Sequence, residues 1–419
     1  MSLVPAALRS RNYQLFFIGQ GISLIGTWIT QLATVWLVYQ LTGSALMLGF
    51  VSFISQIPNL LFGPFGGLIV DRSNRKHLLI ITQILAMLQS FALAEMTLTA
   101  RINITGIMVL SFCQGLINAI DAPARHTFVK DMVESPNDLI SAIGLNSFLF
   151  NISRLIGPAI GGILIAQLGV GYCFLIDGIS YLAVIGGLIL MRFPQKPKRA
   201  RISFNPLQSI KEGFIYAFGF LPIKLILLLT VVFSLMVMPY SSLMPIFASE
   251  TLHGDAHTLG FLLASSGIGA LIGGIYMLSR KSVVGLEFLI AFSPIVSGLG
   301  LILLAFTKIF WFSFASLVLV GFGSILQSIA SNTLIQILVE DDKRARVLSL
   351  YIMAVLGIIP FGCLLDGVLA HYIGVQLTLI FNGVVCIIVA VLFARELKTL
   401  GAMIKPIHSR ERFLDDTDI

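Results

Sequence analysis

In this 419-residue chain Arg154 is the one basic residue deep in a long apolar run, and Asp177 and Asp366 are the deep carboxylates. An arginine in such a setting costs about 3 kcal/mol on insertion scales, so it must face protein interior or water. One reading of Arg154 is a contact for an anion or substrate, or a coupling residue. The other is a structural arginine bonded to backbone carbonyls or to Asn151. Burial of a carboxylate disfavours its charged form, which is the property a proton carrier needs. The rival reading for both aspartates is a snorkelling or locally hydrogen-bonded side chain.

Other constellations are weaker or absent. His253-x-Asp255-x-His257 has the types for a metal, but Asp255 before an apolar run reads better as a helix cap, so no metal site is assigned. No Gly-Lys dipeptide occurs, which excludes a phosphate loop, and no His-Glu dipeptide occurs, which excludes H-E-x-x-H proteolysis. The chain is not expected to be an enzyme, and no cofactor is implied. Cys113, Cys173, Cys363 and Cys386 form no C-x-x-C and read as small packing residues.

The elements that must position these residues are membrane helices. The chain is 57% hydrophobic and only 11% charged, where soluble domains hold about 25% charged residues. In lipid every backbone polar group must be satisfied internally, leaving helices or a closed barrel. The apolar runs are about twenty residues long and lack barrel alternation. They fall near 14–40, 45–70, 78–99, 104–121, 139–167 and 172–191, then near 222–248, 258–279, 286–306, 309–330, 348–371 and 374–395. These are helices one to twelve below. The expected divisions are a six-helix bundle at 1–195, a linker at 196–220, a second bundle at 221–396 and a tail at 397–419. Arg9 and Arg11 precede a first run too long for a signal-peptide core.

The formal charge of +7 does not point to nucleic acid. With both termini cytoplasmic, 24 of the 27 Lys and Arg lie on the inner side, Arg101 and Lys308 lie outside, and Arg154 lies within helix five. That is a positive-inside distribution for the inner membrane. The two halves look like repeats. The inner connections 121–142 and 331–351 are both long, amphipathic and charged, and each leads into the fifth helix of its half. Leu207, Ile210, Phe214 and Ala217 share one helical face, as in a helix lying on the inner leaflet.

The pattern resembles the major facilitator superfamily over essentially the whole chain. Gly67-Leu-Ile-Val-Asp71-Arg72-Ser-Asn-Arg75-Lys76 is similar to that superfamily's loop motif, with Asn74 replacing a glycine. Asn is the next best residue for a left-handed turn, so that geometry is expected here. Gly157-Pro158-Ala-Ile-Gly161-Gly162 is similar to the G-P-x-x-G-G motif of proton-coupled exporters. The opening RNYQLFFIGQGISLIGTW and the loop DAPARHTFVKDMV resemble the branch holding macrolide efflux proteins and the enterobactin exporter. One departure stands out: Gln114-Gly115 is present in helix four, but Ser111 occupies the place of the usual arginine.

The resemblance implies an all-α membrane protein of twelve helices in two six-helix bundles related by pseudo-symmetry, working by alternating access. It implies an inner latch. Asp71 would face the N-terminus of helix eleven, and Arg72 would bridge to Asp121. The plainer reading is that Arg72, Arg75 and Lys76 are inner-side anchors. Helix eleven would lie at the moving interface, which favours Asp366 over Asp177 for coupling. Arg154 shares a face with Ser147, Asn151, Pro158 and Gly161, suited to packing on helix eight. Gln20, Trp28, Gln31, Gln114, Asn118, Tyr240 and Gln327 would line the cavity, although such residues more often join helices. The expected function is proton-coupled efflux of a small amphipathic molecule, siderophore or drug-like, by a monomer. A lipid or lysophospholipid flippase, or an importer, is the alternative, and a non-transporting sensor a weaker one. The expected partners are the substrate, protons and the bilayer.

Overall fold

A computed structural model describes residues 6–133, 135–192, 206–280, 282–397 and 401. Among these, twelve helices are long and apolar enough to cross a membrane. The first six are Arg11–Thr42, Ala45–Arg72, Arg75–Leu98, Ile104–Met132, Pro136–Leu168 and Val170–Leu190. The rest are Leu221–Thr251, Ala256–Ser279, Leu286–Phe306, Phe310–Leu338, Asp342–Ile373 and Val375–Arg395. The protein is an all-α, multi-pass membrane protein. A further helix, Pro206–Gly219, precedes helix seven. On it, Glu212 pairs with Arg346 at 2.9 Å and Phe214 stacks on Phe218.

Helix starts follow local chemistry. Ser10, Ser44, Asn103 and Ser135 each accept a backbone N–H from the first turn of helices one, two, four and five, satisfying donors that have no partner within the helix. Asn74 does the same for helix three, taking the His77 N–H at 3.3 Å from an extended backbone with φ −74°. The left-handed turn expected at Asn74 is therefore not made; the side-chain oxygen is used as a cap. Asp255 caps helix eight through the Thr258 N–H at 3.1 Å.

The long inner connections are mostly helical. Helix four continues through Pro123 to Met132, and helix ten runs to Leu338 before Asp341 begins the next helix. Charged, amphipathic sequence ends an apolar segment but does not end a helix that projects beyond the hydrocarbon. Helices seven and eleven are interrupted. Helix seven breaks at 237–239, where Pro239 has no N–H to donate to the Leu235 carbonyl and a proline ring crowds the carbonyl four residues back. Helix eleven widens into a π-helical turn at Met353–Gly357; Pro360, four residues after Leu356, has no N–H to donate to the Leu356 carbonyl. Gly362 passes against the first break: a Cβ there would meet Pro239 Cγ and, at 2.5 Å, the Leu235 oxygen.

The chain forms two compact units. The first comprises Met1–Arg201, Ser241–Gly267 and Cys363–His371; the second comprises Ile202–Tyr240, Ile268–Gly362 and Tyr372–Ile419. In the first, helix one packs on helices five and six, helix three on four and six, and helix two on four. The end from which helix one starts is closed by a cluster holding Tyr13, Phe16, Leu79, Phe128 and Leu188. In the second, helix nine packs on ten and twelve, over a core including Ile223, Ile290, Leu334 and Tyr351.

Candidate functional site

The inner loop motif divides into two parts. Asp71 and Arg72 are exposed at the end of helix two. Arg75 and Lys76 open helix three and tie it to its neighbours. Arg75 reaches Asp131 of helix four at 2.9 Å, and Lys76 donates to the carbonyls of Ile189 and Met191 at 3.3 and 2.8 Å. A cation on the last carbonyls of helix six is favoured by the negative end of the helix. Gly67 has open space around its Cα, whereas a Cβ on its neighbour Gly66 would run into the Ala119 carbonyl of helix four. The expected bridge from Arg72 to Asp121 is not made. Asp121 is buried, pairs with Arg125 at 2.7 Å, and accepts from Thr82 and from Gln83 at 2.8 Å each. An i,i+4 partner on the same helix is closer at hand than one at the tip of helix two.

Helix five holds the second constellation. Pro158 and Gly162 face the start of helix eight. A Cβ on Gly162 would lie 3.1 Å from Gly260 Cα, and one on Gly260 would lie 2.5 Å from the Pro158 oxygen. Only hydrogens allow that approach. Gly157 and Gly161 face helix one, against Trp28 and against Ile29 and Leu32. Leu155 packs on Gly267. Arg154 thus falls in the wedge between the strip facing helix one and the strip facing helix eight. It is half-buried, and it makes no hydrogen bond or ion pair with any described residue. Asn151 does not hold it; its amide donates to the Ser147 carbonyl at 2.8 Å. Trp28 meets Phe150 edge-on at 5.7 Å, beside the same wedge.

The two aspartates are both fully buried. Asp177 lies two turns inside helix six, not at its start. One carboxylate oxygen accepts from the Ser90 hydroxyl at 2.6 Å, and the other lies against helix one, where a Cβ on Gly26 would come within 2.7 Å of it. Asp366 is carried by the Cys363–His371 segment of the first unit. That segment packs closely on helix two. A Cβ on Gly49 would lie 2.8 Å from Gly367 Cα, and Gln56 donates to Cys363 Sγ at 3.8 Å.

The amides and aromatics expected to line a cavity separate into groups. Gln31 and Asn118 are exposed, and Trp28 and Gln114 are half-buried, with Gln114 donating to Asn118 at 3.2 Å. Gln20 and Tyr240 are buried. Gln327 is buried too, and both ends of its amide are used. It accepts from Ser293 at 2.8 Å and donates to Ser331 at 3.1 Å. That residue joins helices nine and ten, and it also borders a small pocket shared with Thr230, Tyr351 and Val355. Sequence reasoning missed Thr82, Gln83 and Ser90, the donors to the buried carboxylates. Their signal is the buried strip of helix three, where 82, 83, 86, 89, 90 and 93 recur at heptad-like spacing.

The profile of the transmembrane secretion effectors matches residues 3–413. The staphyloferrin A transporter of Staphylococcus aureus is 28% identical over 385 residues, covering 90% of this chain and 94% of that one. Macrolide efflux protein A of Streptococcus pyogenes is 23% identical, covering 89% and 93%. A solved POT family transporter, in complex with a thioalcohol-conjugated peptide, shares the fold with a TM-score of 0.75 at 12% identity, covering 93% and 96%. A transporter motif at the end of helix two, a glycine–proline seam on helix five and a match along the whole chain converge: the chain belongs to the transmembrane secretion effectors of the major facilitator superfamily.

Proposed function

We propose that the protein exports a small amphipathic molecule from the cell by alternating access, driven by protons, as a monomer in the inner membrane with both termini cytoplasmic. The observation that carries this reading is the match over residues 3–413 together with relatives named for siderophore transport and macrolide efflux. The positive-inside distribution supports the orientation, and the repeat division at 1–195 and 221–396 belongs to the same proposal. The interruptions of helices seven and eleven support movement. Each adjoins the point where its helix passes from the second compact unit to the first, between Tyr240 and Ser241 and between Gly362 and Cys363. Broken helices are where transporter backbones bend.

Asp366 is the proposed coupling carboxylate, because it is fully buried on a helix with such a break. Asp71 is the proposed inner gate residue, and the exposed polar groups Gln31 and Asn118 contribute to the path.

A deletion strain compared with its parent by secreted-metabolite profiling and drug-susceptibility testing checks the reading. Loss of a compound from the medium, with its accumulation inside, is expected. Intracellular depletion of a compound supplied from outside would instead establish import.

A further inference from the structure

We propose that Arg154 anchors a carboxylate of the transported molecule, so that the substrate class is an amphipathic carboxylate; the inference deepens the export reading and rests on it. A guanidinium inside a membrane helix requires a counter-charge or a set of acceptors. Arg154 has neither among the described residues, although it is half-buried. Its place in the fold is not lipid-facing. Gly157 and Gly161 on one flank close on helix one, and Leu155, Pro158 and Gly162 on the other close on helix eight. The wedge between these seams is where a molecule crossing the protein can reach helix five.

The surroundings suit the rest of such a molecule. Trp28 and Phe150 supply an aromatic wall beside Arg154, and Ser147 lies two turns inward on the same face. The absence of a side chain at Gly157 lets helix five close on Trp28, whose Cβ a side chain there would meet. Neither Asp121 nor Asp177 competes for the guanidinium. Asp121 is taken by Arg125, Thr82 and Gln83, and Asp177 is enclosed by helices one, three and six. The planar fork of Arg154 is therefore left to a carboxylate brought from outside the chain, which it can bind through two parallel N–H···O bonds.

The test uses the full chain in nanodiscs and two fluorescent probes of equal size, dansylglycine and dansylglycinamide, which differ by one carboxylate charge. The wild-type protein is expected to bind the carboxylate about tenfold more tightly. Arg154→Met should erase the preference and leave amide binding unchanged, and Arg154→Lys should keep part of it, since the charge stays and the fork is lost. Thermal unfolding without ligand is the second readout. Arg154→Met should melt at or above the wild-type temperature, because its charge has no internal partner to lose. Equal affinity of the wild type for both probes, a preference that survives Arg154→Met, or a variant that melts lower or fails to assemble would each overturn the proposal. Binding is read without a gradient, so these outcomes leave the direction of transport untouched. An unchanged secreted profile in the deletion strain counts against export and not against anion binding.

Discussion

Asp121 on helix four and Arg154 on helix five are both charged residues of the first unit, and they are treated in opposite ways. Asp121 is enclosed and saturated by one cation and two polar donors from helices three and four. Arg154 is left open in a wedge with no partner among the described residues. A buried charge with a complete set of partners holds a fold together; one without them is tolerated only where something else supplies the partner. The same contrast separates Gln327, whose amide is used at both ends, from the exposed Gln31. Saturation marks structure, and incompleteness marks the place to look for a ligand.

The largest expected effect tests the saturated member. Asp121→Leu leaves Arg125, Thr82 and Gln83 facing an apolar side chain, and should cost about 3 kcal/mol of stability. Thermal unfolding of the solubilised protein reads it. A loss near zero would mean that Arg125 turns to water and that the contrast with Arg154 is one of exposure, not of partners.

Next comes the seam that creates the wedge. Gly162→Val inserts atoms where even a Cβ would lie 2.7 Å from the Ala256 carbonyl oxygen, and overpacking of this kind costs about 1–3 kcal/mol. Flux should fall more than stability if this seam must also open and close. Equal loss of both, measured in proteoliposomes and by unfolding, would make the seam a static contact.

Asp366→Asn is expected to leave stability within about 1 kcal/mol, since the side chain keeps its shape. It fixes the group in a neutral form. Gradient-driven export should then fail while downhill exchange of substrate persists, because exchange needs no proton release. Gradient-driven flux equal to wild type would remove Asp366 from coupling and bring forward Asp177, which is also fully buried.

The twelve spans were legible because lipid imposes one simple demand, about twenty apolar residues in a helix, and the sequence meets it twelve times. What was not legible depended on contacts across helices. Asp121 was expected to meet Arg72 because both stand at the inner surface, yet Arg125, one turn away on the same helix, and helix three take it first. That both ends of the Gln327 amide are taken was hidden because its serine partners carry no charge to advertise them. Asn74 is rich in left-handed potential and was used for its side-chain oxygen instead. Arg154 could be picked out by its cost alone. That it has no partner among the described residues is visible only once helices one and eight are seen on either side of it.

The smallest expected effect on stability belongs to the exposed end of the loop motif, where two adjacent pairs of charges differ as Asp121 and Arg154 do. Arg75 and Lys76 are engaged, with Asp131 and with the last carbonyls of helix six. Asp71 and Arg72 are exposed. Lys76→Met should therefore cost about 1 kcal/mol, the worth of a charge-assisted contact at a helix end that solvent partly screens. Asp71→Asn should change stability by less than about 0.5 kcal/mol, as exposed substitutions do. If Asp71 is a gate residue, its carboxylate acts in only part of the transport cycle, and the isosteric amide should slow flux while leaving unfolding and membrane insertion as they were. Paired measurements on the two variants, flux against melting temperature, separate the roles: Lys76→Met moves along the stability axis and Asp71→Asn along the flux axis. Unchanged flux in Asp71→Asn with normal expression would reduce the exposed half of the motif to a signal for membrane orientation, and the inner gate would have to be sought elsewhere.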